Sequence, residues 1–453
     1  MTIDFATLYS WVKDLPIIDW HNHLDLRMLA EDKPLGSLYE VWVKSDPYKH
    51  RAMRICGEPE RLITGDASEE EKWAAWTRTL PKLVGNPLFA WARMELAWLG
   101  VFNTETQRGR GEESIRDQKN ISLADWTPSK MLAKFGVEYM SPCVGLDGLE
   151  VLDDLEVLSN LDGMSIAPSL RMNAGDEVSV EALEKFHAAG CRVVDVSVDD
   201  ASLLPTANYQ LPTVAAFAAA HGWTMLLHLG ALRETSARLR AVAGPAGGFA
   251  GMRVPVDPEA VAAFLNTLEN TPNAFSHDEH KVAFASGSLG VSEDEKDTSN
   301  LQDSKTPSSE SNVLGSTRST CSTRLNASLP RTILLSLNPE AHAQLAVLSG
   351  SFVEEGAPGK VQLGPAWWWC DHEEGIRDVL EKNAAYGVLS TFIGMTTDSR
   401  SLLSFVRHDY FRRILCKWVA EKIAAGAFPK DESLLRPLLE NICYRNAKAI
   451  VTA

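Results

Sequence analysis

Two histidines one residue apart, His21 and His23, close the run Ile17-Ile18-Asp19-Trp20-His21-Asn22-His23. In an extended strand, residues i and i+2 point to the same side, so both imidazoles share one face. Imidazole suits zinc and neighbouring transition metals, and two on one face make half a metal site. A chance pair on a surface turn is the plainer alternative, but the apolar pair just before it argues for a strand end. A carboxylate is placed in the same way near the other end of the chain. Asp398, in Thr397-Asp398-Ser399-Arg400, follows the apolar run VLSTFIGM. It could complete the metal site or act as a general base beside it. It could also cap a helix, since Asp and Ser both cap well. His228 ends the run WTMLL and is a further ligand, a substrate contact or a packed core residue; Arg233, one turn on, suits a carboxylate. Trp367-Trp368-Trp369 end another apolar run. Strand alternation sends Trp367 and Trp369 to one side, where they would wall a pocket and stack on a sugar ring, or simply pack.

These residues need elements to hold them together. Residues 4–15 read as an opening helix that Pro16 ends. Residues 30–135 look mainly helical and rich in Trp, too long for a simple βα connection, and are expected to form a helical insertion after the first strand. From about 136, strands and helices alternate. VEYMSP, GMSIAPSL, CRVVDVSV, WTMLLHLG, RTILLSL, KVQLGPAWWW and VLSTFIGM are strand candidates, and the first strand makes eight. Eight such units predict an α/β fold, a closed (β/α)8 TIM-type barrel in one domain over 1–453. In a closed barrel the first and last strands are neighbours, which would bring Asp398 to the His pair. Residues 277–329, rich in Ser, Thr and charge, bury too little to order themselves and are expected to be a low-complexity, disordered surface loop.

The chain has 453 residues, 45% hydrophobic and 23% charged, which is globular and ample for a core. A net charge of −16 argues against nucleic acid and anionic membranes as partners. An acidic substrate must then be drawn in by local Arg and Lys. The 7 cysteines form no CxxC pair and suit free thiols in a reducing compartment. The N-terminus lacks the apolar run of a signal peptide, and no stretch of 18 apolar residues occurs. A cytoplasmic protein is expected, with room for a homo-oligomer.

The HxH strand, the His after a middle strand and the terminal Asp together resemble the amidohydrolase superfamily. The finer motifs resemble its uronate (glucuronate) isomerases. LPIIDWHNHL, PYKHRAMRICGEPERLITGDAS, HLGALRE, RTILLSLNPE, GKVQLGPAWWWCD, STFIGMTTDSRSLLSFVRHDYFRRILC and NICYRNAKAI carry the likeness nearly end to end. The resemblance implies aldose–ketose isomerisation of hexuronates, D-glucuronate with D-fructuronate and D-galacturonate with D-tagaturonate. It implies one divalent metal ion, zinc first, held by His21, His23 and Asp398. Tyr48 and Arg400 would lie near the substrate, with Arg171 gripping its carboxylate or hydroxyls. His228, Arg233, Trp369 and His50 complete the expected substrate-binding set. Isomerisation through an enediol needs a base, a donor for the carbonyl oxygen and positive charge for the oxyanion; Asp398, Tyr48, His21 and Arg400 are of those types.

The chain departs from the family at several strand ends. SPCVGLDG replaces a TDDP-like turn, and Val194-Asp195-Val196-Ser197 replaces SDHG. Leu226 stands for Gln, and His50 for the Trp after the Tyr-Lys pair. The metal framework is kept while the substrate shell is altered. Two other readings therefore stay open: a diverged metal-dependent hydrolase, lyase or decarboxylase of another small carboxylate, and a catalytically silent barrel.

Overall fold

The computed structural model describes residues 3–100, 122–157, 163–200, 204, 210–244, 247–270 and 329–452. Of the expected loop, 277–328 lie outside the described residues, and Leu329 is buried.

Among the described residues, seven parallel strands follow one another in chain order around a curled eight-stranded sheet: β1 Ile17–Asn22, β2 Val137–Gly145, β3 Ser169–Asn173, β4 Val193–Val198, β5 Thr224–Leu229, β6 Arg331–Ser336 and β7 Val361–Leu363. The run GMSIAPSL is not one strand. Its first half, Ser165–Ile166, pairs low on β2 against Tyr139 and Met140, and its second half starts β3 opposite Cys143. Pro168 falls between them and cannot donate to a ladder. Strands β1, β4 and β5 are buried at every position, as in parallel sheets covered on both faces.

VLSTFIGM is the correction. It forms no strand: Leu389–Thr391 is a 3-10 turn, and the chain then runs irregularly to Arg400. Its backbone partners are mostly side chains. Asn446 Nδ2 donates to the carbonyls of Ser390 and Phe392, each at 2.8 Å. Ile393 N donates to Gln362 Oε1 on β7 at 2.9 Å. Gly394, at φ 81°, passes so close to the Asn441–Arg445 turn that a Cβ there would meet the Ile442 carbonyl oxygen at 2.0 Å. Even so, this segment closes the (β/α)8 barrel. Asp398 N donates to His21 O at 3.2 Å, and His23 N donates to Ser399 O at 2.8 Å.

Helix α1 (Phe5–Val12), capped by Asp4, packs against the long helix that follows the closing segment. Between β1 and β2 the described elements are helical, and the α-helices among them start on side-chain caps: Asp25, Ser37, Asp46, Ser68, Asn86 and Thr127. Of these, α2 (Pro47–Ile55) carries Tyr48 to the barrel mouth. Helix α3 (Val406–Ala424) buries Arg407, His408 and Arg412 among its apolar residues. The described cysteines are free. Among the described residues no helix is long and apolar enough to cross a membrane.

Candidate active site

Asp19 organises the junction between β1 and the closing segment. It is fully buried and accepts hydrogen bonds from Thr396 Oγ1 (2.8 Å), Thr397 N and Oγ1 (2.7 Å each) and Asn22 Nδ2 (2.9 Å). His408 Nε2 of α3 lies 3.2 Å away. Burial pushes its carboxyl up, yet these donors hold it below the usual carboxylate range. Arg407 binds Asp371 Oδ2 at 2.7 Å and also the Thr397 carbonyl. The next residue, Asp398, is thereby held at φ 46°, a left-handed conformation that Asp tolerates better than most residues.

In that conformation Asp398 caps no helix; it turns into the mouth. Its Oδ1 lies 3.1 Å from His21 Nε2 and 3.0 Å from His23 Nε2, and its Oδ2 accepts from Trp367 Nε1 at 2.9 Å. Burial acts against its charge, but the two imidazoles hold it well below the usual carboxylate range. Thus two imidazoles and one carboxylate, 377 and 375 residues apart in sequence, converge on a point. The His228 Nε2 atom at the same mouth is buried with no protein partner, a rare state that a ligand would relieve. Nitrogen and carboxylate donors so arranged fit one divalent metal ion.

Across the mouth lies a second charged group. Asp195 on β4 is fully buried, receives Arg171, and lies 2.5 Å from His228 Nδ1 and 3.9 Å from His21 Nε2. Burial raises it, but Arg171 and the histidines hold it well below the usual range. Arg171 and Arg233 both donate to Ser197 Oγ, at 2.7 and 2.6 Å, and Arg233 Nε reaches Asp199 at 2.9 Å. Arg400 makes no hydrogen bond or ion pair among the described residues. Tyr48 is edge-on to Trp91 and Trp369. Burial raises its phenol well above the ordinary range, although Arg407 opposes this. His21, His23, Tyr48, Arg171, His228, Arg233, Trp367, Trp368, Asp398 and Arg400 line one cleft of about 180 Å³.

Two expected substrate residues are not in it. Trp369 lines a neighbouring cavity and stacks under Arg51, 4.6 Å from its ring. The alternation that placed it beside Trp367 breaks because Trp368, at φ 49°, starts a 3-10 turn, so Trp368 takes its place at the cleft. His50 is buried on α2, outside the cleft's lining, and burial lowers its pKa. Other residues carried no sequence assignment. Cys143 Sγ lies 3.3 Å from His21 Nδ1. Asp19 and Asp195 had a signal: a charge inside an otherwise apolar strand is almost never buried unpaired. Arg407 and His408 stand in the quoted RHDYFRR motif.

A sequence model of the family described as glucuronate isomerase matches residues 4–202 and 309–451. The chain belongs to the glucuronate isomerase family. Among its relatives, the uronate isomerase of Geobacillus thermodenitrificans is 31% identical, over 97% of this chain and 94% of that protein. That of Caldicellulosiruptor bescii is 30% identical, over 97% and 94%. The crystal structure of uronate isomerase from Thermotoga maritima superposes with a TM-score of 0.75 at 23% identity, covering 98% of this chain and 97% of that one. Glucuronate isomerase from Caulobacter crescentus gives 0.71 at 18%, covering 99% and 94%. The two structures bear out the barrel. The family match takes in His21, His23, Tyr48, Arg171, Asp398 and Arg400, whereas His228 and Arg233 fall in the stretch between its two parts.

Proposed function

We propose that this protein is a hexuronate isomerase, interconverting D-glucuronate with D-fructuronate and D-galacturonate with D-tagaturonate. Family membership along nearly the whole chain supports it. The observation that carries it is the Asp398 carboxylate set between two imidazoles in a small cleft with three arginines. Hydrolase, lyase or decarboxylase chemistry is not favoured by any relative reported above.

In this reading His21, His23 and Asp398 hold one zinc ion, which when bound supplies positive charge for the enediol oxygen. Arg400 has its hydrogen-bonding capacity free for the sugar carboxylate, and Arg171 and Arg233 bound the other side of the cleft. Asp398, kept ionised, moves the proton between C2 and C1. Tyr48, kept protonated by burial, donates to the carbonyl oxygen. His228 offers its unpartnered Nε2 to a sugar hydroxyl. We take 30–135 as an insertion of a single barrel domain, and the reducing cytoplasm as the place of action because the described thiols are free. Ketose formation from glucuronate and galacturonate by the purified, metal-loaded protein is the test. No ketose from either sugar with metal fully bound would overturn the reading.

A further inference from the structure

Lysine is almost never fully buried without a partner, yet Lys49, next to Tyr48 on α2, is only 2% exposed. Its Nζ lies 2.5 Å from Asp46 Oδ2 and 3.8 Å from Glu95 Oε2. It also sits over the rings of Trp42 and Trp76, 5.3 and 6.0 Å from their centroids. Glu95 in turn accepts from Trp42 Nε1. One ammonium thus joins α2 to three other helices of the 30–135 region: Leu38–Trp42, Glu69–Thr79 and Pro87–Trp98. The second oxygen of Asp46 caps α2. Asp46 Oδ1 accepts from Tyr48 N at 2.8 Å and from Lys49 N at 3.1 Å. Burial pushes the Asp46 carboxyl up, but Lys49 holds it below the usual carboxylate range, so it stays an acceptor. The helix that brings Glu95 to Lys49 also carries Trp91, four residues earlier and so on the same face. Trp91 meets the Tyr48 ring edge-on, with centroids 5.7 Å apart.

We propose that Lys49 is a positioning residue for Tyr48: through Asp46 it locks the start of α2 and so fixes where the phenol stands at the barrel mouth. The proposal rests on the isomerase reading above, in which Tyr48 donates to the carbonyl oxygen. A proton donor must stand within hydrogen-bond reach of the atom it serves. A misplacement of about 1 Å that starts away from the chemistry can cost ~10²-fold in rate. Lys49 is not among the residues that line the cleft, so it acts through its neighbours. With Lys49 made neutral, Asp46 and Glu95 lose the cation between them, and Asp46 leaves the Tyr48 N–H for water. The helices around Lys49 are in this sense the socket of one residue of the site.

The test is a double-mutant cycle. Initial rates of ketose formation from glucuronate are measured on the metal-loaded full-length protein, Lys49→Met, Tyr48→Phe and the double variant. Asp46→Ala, which leaves Lys49 the Glu95 carboxylate, takes the place of Lys49→Met should that variant fail to fold. Lys49→Met is expected to lower kcat by about 10- to 100-fold with KM within about 3-fold, because the lost interaction belongs to the transition state. In the Tyr48→Phe background the same change should lower kcat by less than about 3-fold, since the group it positions is gone. An equal fall in both backgrounds would mean that Lys49 only holds the fold, and would overturn the proposal. So would an unchanged kcat in Lys49→Met, or failure of both Lys49→Met and Asp46→Ala to fold. Two outcomes reach further back. Tyr48→Phe as active as the wild type would remove Tyr48 from the chemistry, and no ketose from the metal-loaded wild type would sink the isomerase reading; either takes this proposal with it.

Discussion

The two sides of the barrel mouth are built differently. On the metal side, His21, His23 and Asp398 hang from a buried scaffold. Asp19, Thr396, Thr397, Asn22 and His408 satisfy one another without help from any ligand. On the substrate side, Arg171 and Arg233 spend their donors on Asp195, Asp199 and Ser197, and Asp199 and Arg233 are partly open to solvent. One side is preorganised, so its cost is met in folding. The other is self-compensated, and a substrate oxygen that reaches Arg171 or Arg233 must displace a partner they already hold. In the proposed isomerase, the first arrangement positions the reacting groups, while the second tunes affinity and choice of acid.

If the metal side is preorganised, removing the charge of Asp398 should be the most damaging single change. Asp398→Asn keeps an acceptor for Trp367 Nε1 but ends the attraction to both imidazoles. It is expected to lower kcat by ~10³-fold, in the range for a lost general base, with the unfolding midpoint little changed. A collapse of stability instead would mean that Asp398 belongs to the scaffold and would erase the distinction drawn above.

Asp19→Ala probes the scaffold directly. It strips the partner from four hydrogen bonds and from His408 in a fully buried place. A loss of about 3–5 kcal/mol is expected in urea unfolding of the metal-free protein, as for one member of a buried charged pair. A loss below about 1 kcal/mol would show that the threonines find other partners and that the junction is not rigid.

Much of the metal side was legible because two short-range rules sufficed. Period two on β1 aligned His21 with His23, and barrel closure brought Asp398 beside them. The rule failed where backbone partners are long-range side chains. Nothing near VLSTFIGM announces that Asn446 and Gln362 take the places of a strand ladder. Nor does the Trp triplet announce that Trp368 turns left-handed and moves Trp369 out of the cleft. Asp19 and Asp195 stood in plain sight within apolar runs, but most of their partners come from other elements far along the chain, which one-dimensional spacing does not reveal.

On the substrate side smaller effects are expected. Arg233→Met frees Ser197 Oγ of one donor and removes one cation from the cleft. KM for a uronate should rise by about 10-fold or more, the value of a charge-assisted hydrogen bond of roughly 1.5–3 kcal/mol, with kcat changed less. Should kcat fall as far as kcat/KM, Arg233 would act only in the transition state, and the substrate side would prove as preorganised as the metal side.

The smallest effect concerns Asp371, which ties Arg407 to the scaffold. Burial raises its pKa to about 6 despite the 2.7 Å contact with Arg407. Its folded pKa therefore exceeds its ordinary value of 3.8. Between those values the folded state holds the proton more tightly than the unfolded chain does, so this group's contribution to stability is fully present below 3.8 and is lost as pH rises through 6. Asp371→Asn has no such titration. The stability of the wild type relative to this variant should decline from about pH 4 to pH 6 and level off above, as read from urea unfolding across that range. A relative stability that instead climbs over the same interval would mean that the attraction of Arg407 outweighs burial. The scaffold would then be stabilised by its ionised pair, and the metal side would owe its rigidity to charge rather than to hydrogen bonds converging on Asp19.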